Sequence, residues 1–110
     1  MKEAKVYVGL NDSVTLTQLF DNEKYIKILK YVCTNYHVPF SFSLSQGGYY
    51  HESGDFTQEN TLILTLIDVD ESIINEIAKD LCVFFHQESV MITYGHSVTR
   101  FIKEKLDIES

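Results

Sequence analysis

The sequence predicts an α+β sandwich: one antiparallel sheet of four strands with two helices laid across a single face. Three observations carry that prediction. The last third of the chain runs from a β-prone stretch, Thr61 to Ile67, through a helical pattern to a second extended stretch, Val90 to Tyr94, and the first third repeats this strand–helix–strand order. Between them stands a turn sequence, Ser53-Gly54-Asp55, flanked by extended runs. At 110 residues and 45% hydrophobic content, the chain can build one core and is too short for two.

Val6-Tyr7-Val8-Gly9-Leu10 alternates apolar and β-branched positions and stops at the turn-prone pair Asn11-Asp12, which defines a first strand. Ser13 to Asn22 admits two readings, a short helical turn around Leu16, Leu19 and Phe20, or a loop that folds those side chains over the core edge. From Glu23 to Tyr36, Tyr25, Ile28, Leu29, Val32 and Tyr36 recur at spacings of three and four behind a cap at Asp21 or Asn22, giving the first helix. His37-Val38-Pro39 ends it, since the residue before proline avoids the helical region.

Phe40 to Ser45 alternates three apolar residues with three serines, a second strand whose preceding proline predicts an edge position. Gly47-Gly48 predicts a bulge or kink before Tyr49-Tyr50-His51 continue to the turn. The return strand spans Phe56 to Ile67. Asp68-Val69-Asp70-Glu71 places acids at the start of a second helix, whose apolar stripe is Ile74, Ile77, Ala78, Leu81 and Phe85 and whose end falls near His86. Val90, Ile92 and Tyr94 alternate in the last strand. Ser97 to Leu106 reads either as a further extended segment or as a short helix.

The order βαββαβ is that of the ferredoxin-like sandwich, and right-handed crossovers then fix the strand order as 4-1-3-2. The chain reads as one domain over residues 1–110, with a core from about 4 to 102 and a frayed tail from 103 to 110. With Val6, Val8, Leu62, Leu64, Leu66, Val90 and Ile92 turned to the helices, the opposite face must carry Tyr7, Gly9, Ile63, Thr65, Ile67, Met91 and Thr93. Tyr7, Ile63, Ile67 and Met91 there form a contiguous apolar patch, best covered by a second copy stacked across a two-fold axis. A monomer whose tail, Ser97 to Leu106, folds over the sheet is the competing arrangement.

The formal net charge is −7, from 16 acidic against 9 basic residues, which disfavours direct binding to nucleic acid or to an anionic membrane. No stretch approaches the roughly 18 to 20 apolar residues of a membrane span, and the charged start lacks the apolar run of a secretory signal, so a cytoplasmic location is expected. Cys33 and Cys82 lie far apart in helical patterns and read as reduced thiols.

No catalytic constellation stands out, and neither a metal site nor a cofactor is expected. Asp68, Asp70 and Glu71 lack the glycine and distal glutamate of a calcium loop, and read as caps. His37, His51, His86 and His96 are scattered, none at the spacing of a helical metal pair. The candidate ligand or partner site is the hairpin stretch Gln46, Gly47, Tyr49, Tyr50 and His51, where glycine permits close approach and tyrosines can stack a planar group. Gln87 and Glu88, at a helix-to-strand junction, are set against a plainer role in satisfying the helix end. Arg100 joins them, since His86 or His96 could meet Glu88 or Arg100 in space and form a general-base site.

At Gln87-Glu88-Ser89-Val90, with Tyr7-Val8-Gly9-Leu10 and Gln46-Gly47 ahead of a hairpin, the chain resembles a family of small bacterial proteins of unknown function. The resemblance spans about Lys5 to Ile102. Here the segment Val14 to Gln46 is longer than in that pattern, and the aromatic that follows Gln46-Gly47 is displaced to Tyr49. The resemblance implies the sandwich and no particular activity. A looser likeness, of fold alone, is to PII-like signalling proteins, which bind nucleotides between subunits.

Three functions follow in order of expectation. The first is a non-enzymatic binding module that forms a homo-oligomer, most simply a dimer, and holds a small molecule or protein partner near Gly47 to His51. The second is a small cofactor-independent enzyme in which paired units enclose a cavity. The third is an acidic inhibitor, of phage or mobile-element type, that mimics nucleic acid.

Overall fold

A computed structural model describes residues 1–96 and 98–103. Its elements are β1 (Lys2–Gly9), α1 (Asn22–Asn35), β2 (Ser41–Tyr50), β3 (Phe56–Ile67), α2 (Glu71–Phe84) and β4 (Met91–His96). All strand pairs are antiparallel, in the order β2-β3-β1-β4, which is the expected 4-1-3-2 order met from the other edge. The ferredoxin-like sandwich is therefore the fold of this chain.

Alternation drives the core. Ala4, Val6 and Val8 of β1, Leu10 just beyond it, and Leu62, Leu64 and Leu66 of β3 are buried, while the strand residues between them turn to the other face. Tyr25, Leu29, Val32 and Cys33 of α1 and Ile74, Ile77, Ala78 and Leu81 of α2 close over them, with the Phe85 ring tilted at 59° against Tyr25, 5.1 Å between centroids. Val90 and Ile92 pack at the margin. At about 25 cal/mol per Å2 of apolar surface removed from water, this cluster is the main source of stability.

Both helices end alike. His37 and His86 each take φ of 53°, and each closes a paired set of bonds: His37 N–H to Thr34 and Val38 N–H to Cys33 in α1, His86 N–H to Val83 and Gln87 N–H to Cys82 in α2. This is the Schellman stop, with histidine at the left-handed position where glycine is usual. At the other end of α1, the Asp21 carboxylate accepts the Lys24 N–H at 3.0 Å. Asp70 occupies the same position in α2 without a side-chain cap bond.

Several expectations change. β1 begins at Lys2, four residues before the apolar alternation starts, because Asp68 clasps it: the Lys2 N–H donates to the Asp68 carboxylate and the Asp68 N–H to the Lys2 carbonyl, both at 2.9 Å. No bulge occurs at Gly47-Gly48. β2 and β3 pair one for one from Ser41 with Thr65 to Tyr50 with Phe56. A Cβ on Gly48 would collide with the Phe56 ring, so this glycine makes room for an aromatic on a regular strand. The turn is tight, with Gly54 at φ 91° and its N–H bonded to the His51 carbonyl at 2.9 Å.

The segment from 13 to 20 is not a helix, and of its apolar side chains Phe20 rests at the core edge, its ring 6.0 Å from that of Tyr25. The Asp12 carboxylate accepts the N–H groups of Val14 at 2.8 Å and Thr15 at 3.0 Å, curling the chain through Leu16 at φ 60°. Leu16, Leu19 and Phe20 stand about half exposed. Residues 98–103 form neither helix nor strand and do not cover the sheet, since Val98, Phe101 and Ile102 are exposed. Residues 97 and 104–106 of the stretch read as strand or helix, together with the expected frayed tail beyond 103, lie outside the described residues. No described helix is long and apolar enough to cross a membrane.

Candidate functional site at the hairpin base

Where β1 runs out, its last residues meet the hairpin and the end of α2. Gly9 pairs with Thr61, and the Glu59 side chain folds back across the space that a Cβ on Gly9 would fill, at 2.6 to 2.9 Å from its carboxylate atoms. There Glu59 accepts the Asn11 N–H at 3.2 Å. The Asn11 side chain donates to the Gln58 carbonyl at 3.2 Å, and the Asn11 carbonyl accepts the Gln87 amide at 2.5 Å. Glu59, Asn11 and Gln87 are thus one hydrogen-bonded strip that joins β3, the β1 exit and the α2–β4 junction.

A second network lies beside it on the helix side. The Phe20 carbonyl can only accept, so the Gln18 amide nitrogen, 2.8 Å away, is fixed as a donor; the same nitrogen donates to the Asn22 oxygen at 2.8 Å. The Gln18 oxygen must then accept from Asn60 Nδ2, at 3.0 Å. Asn60 Oδ1 is left buried without a partner. These amides border an open groove of about 420 Å3 lined by Asn11, Leu16, Thr17, Gln18, Gln58 and Asn60.

Asp12 and His86 tie the same region together. His86 Nδ1 lies 3.2 Å from Asp12 Oδ2, and the Ser13 N–H donates to the His86 carbonyl at 3.1 Å. The N–H groups of Thr15 and Val14, aided by His86, hold the Asp12 carboxyl below its ordinary value against the opposing effect of burial.

On the face away from the helices, register sets the neighbours. Ile63, Tyr7 and Met91 stand side by side, as expected, but Ile67 is separated from Ile63 by Thr65 and faces Glu3. Thr65, Lys5 and Thr93 form the row between, and Lys5 pairs with Glu3 at 3.7 Å. The patch is therefore narrower than the alternation predicts. Tyr7 and Ile63 are half-buried, while Met91 is 57% exposed. Beyond this row toward the hairpin come Gly9, then Glu59 opposite Gly47.

The structure distributes the candidate residues as follows. Gly47 lies opposite Glu59, next to the strip that contains Gln87. Tyr49 and His51 share the outer face, their rings 5.1 Å apart, with His51 Nε2 bonded to the Thr57 hydroxyl at 2.6 Å. Tyr50 points to the opposite face and packs on Phe56 at 5.1 Å. Adjacent strand residues cannot share a face, so the two tyrosines cannot together sandwich one ligand. Gln46 and Glu88 are exposed, and Arg100 is exposed in the segment after β4. His86 meets Asp12 instead of Glu88 or Arg100.

Glu59, Asn60 and Asp12 went unread in the sequence. A signal was present, because Thr57-Gln58-Glu59-Asn60 is a polar run inside the most β-prone strand of the chain. A larger concavity, about 430 Å3, lies at the other end of the sheet between Tyr94 and the start of α2. It is bordered by Asp68, Asp70, Glu71 and His96, and no group fit to hold a metal ion occurs among the described residues.

No protein-family model matches the chain, and no curated protein matches it. Solved structures do. The fold is similar to that of a phage SAM lyase in complex with S-methyl-5'-thioadenosine, at 24% identity over 86% of this chain and 79% of that one, with a TM-score of 0.64. The phage SAM lyase in its apo state gives 22% identity, 94% and 92% coverage and a TM-score of 0.60. GlnK of B. subtilis in complex with ATP gives 12% identity, 86% and 84% coverage and a TM-score of 0.50. At these identities the likeness establishes the shared sandwich, including that of the PII-like proteins.

Proposed function

We propose that this protein binds an adenosine-bearing small molecule on the outer sheet face beside the hairpin base, in a site completed by a second copy of the chain. The observation that carries this reading is the Glu59 carboxylate, held over Gly9 by the Asn11 N–H at the border of the row Ile63, Tyr7 and Met91. An apolar wall with one oriented charge is the usual make-up of a small-molecule site. In a single chain that wall is half open, which is why a second copy is invoked to close it. Two similar folds were solved with adenosine compounds, S-methyl-5'-thioadenosine and ATP, and this supports the ligand class.

A second reading makes the protein an enzyme that breaks the bond between the sulfonium and the γ-carbon of S-adenosylmethionine, the electron pair leaving on sulfur as S-methyl-5'-thioadenosine while the substrate's own carboxylate closes on that carbon to form a lactone. It is favoured by the likeness to the SAM lyase in both its states. A fixed carboxylate also suits a cationic sulfur, because charge-assisted contacts are roughly twice as strong as neutral ones. Calorimetric titration with S-methyl-5'-thioadenosine, S-adenosylmethionine and ATP tests binding, and chromatography of the S-adenosylmethionine mixture tests cleavage. Glu59→Gln is expected to weaken the sulfonium compound about tenfold while leaving the neutral thioether nearly unchanged, as loss of one charge-assisted contact predicts. Absence of binding to all three compounds overturns the proposal; binding without product excludes only the lyase.

A further inference from the structure

We infer that residues 98–103 of one copy add as a strand to the outer edge of β2 in a second copy. β2 is a sheet edge ten residues long. Its sequence, Ser41-Phe42-Ser43-Leu44-Ser45-Gln46-Gly47-Gly48-Tyr49-Tyr50, holds no charged residue and no proline, and its pairing to β3 has no bulge. Soluble proteins protect such an edge by shortness, charge, proline, a bulge or a cover, because its unpaired N–H and C=O groups template another strand. Four of these devices are missing here. A cover is what remains.

The same chain carries a segment suited to provide it. Val98-Thr99-Arg100-Phe101-Ile102-Lys103 is rich in β-branched and aromatic residues, yet in the single chain Val98, Phe101 and Ile102 are 100%, 77% and 86% exposed. As a strand, Val98, Arg100 and Ile102 fall on one side, with Val98 and Ile102 extending the row of Phe42 and Leu44, the latter 40% exposed. Charge agrees with this pairing. The segment has Arg100 and Lys103 and no acid, whereas the distal hairpin from Ser45 to Asn60 has Glu52, Asp55 and Glu59 and neither lysine nor arginine.

Reach decides that the donor is another copy. β4 and β2 are opposite edges of the sheet. Strands sit about 4.8 Å apart, so passing from β4 to a position outside β2 takes roughly 19 Å. Residues 97–103 span at most about 24 Å fully extended, so crossing within one chain leaves only one or two residues to pair. In trans no crossing of the sheet is needed, and main-chain bonds supply the affinity. This edge contact is separate from the stacked face invoked for the ligand site.

Sedimentation and amide exchange of the full chain test it, with Phe101→Asp/Ile102→Asp as the disrupting variant, since both positions are exposed and their change leaves the core intact. The wild type is expected above the 12.7 kDa monomer mass, and the variant to fall to a smaller assembly, with β2 amides exchanging at least about tenfold faster, as loss of a ladder implies. Arg100→Glu is expected to weaken the assembly in the same direction. A monomeric wild type, or a variant that keeps the wild-type mass and β2 protection, overturns the inference. So does a mass that falls with Met91→Lys and not with the tail substitutions, a result that leaves the stacked face standing.

Discussion

At the scale of single residues, the hairpin base is organised by side chains that serve main-chain groups. Asp12 accepts two N–H groups and faces His86, and its carboxyl is held below the ordinary range chiefly by the N–H groups of Thr15 and Val14. A lowered folded value means that ionised Asp12 stabilises the protein above the ordinary carboxylate range, and that this contribution is lost as pH falls through the folded value. Asp12→Asn is therefore expected to be less stable than wild type at pH 7. The gap should narrow as pH falls below about 4. Urea midpoints across that range check the sign; a gap that widens in acid contradicts it. In the sequence, Asn11-Asp12 is legible as a turn and nothing more, because a carboxylate's partners are set by which loop lies beside it. Glu59 was hidden for the same reason: its position depends on the missing side chain of Gly9, which belongs to a different strand.

Elements were more legible because their signals are local. β3 occupies Phe56–Ile67 as read, and α1 starts and stops within one residue of the expected span from Glu23 to Tyr36. The misread features all depend on partners. Gly47-Gly48 is locally a breaker, but register with β3 and the Phe56 ring over Gly48 keep the strand straight. The start of β1 is polar in sequence and is a strand because Asp68 holds Lys2. Acids precede both helices, yet only Asp21 makes a cap bond with its side chain. Asp21→Ala should cost about 1 kcal/mol, in the usual range for losing a capped N–H. Asp70→Ala should cost less than about half of that, since only its interaction with the helix dipole is lost. Thermal unfolding of the two variants gives the comparison, and equal losses would contradict the assignment of caps.

For the molecule as a whole, alternation along β1 and β3 was sufficient to predict which side chains meet the helices, and the core forms from those residues. The opposite face was read as greasier than it is, because alternation sorts residues onto faces but does not say which rows carry Lys5, Glu3 and the threonines. Cys33 reports on the integrity of this core. It is fully buried, and burial pushes its thiol up to about 11. Cys82 is only partly buried. At pH 8 a thiol reagent should modify Cys82 in the folded protein and reach Cys33 only through global opening, so that the Cys33 rate alone rises steeply with urea. Mass spectrometry of alkylated peptides distinguishes the two; equal rates would mean a looser interior. The hairpin has a different freedom. Its outer pairs, from Gly47 with Glu59 to Tyr50 with Phe56, add a ladder that ends in a five-residue turn and carries none of the buried core residues. Its length can thus change by one residue on each strand without repacking the interior. Each such step reverses which side the tip aromatics show, so a relative with a longer arm keeps the same presentation only if both strands grow by even numbers.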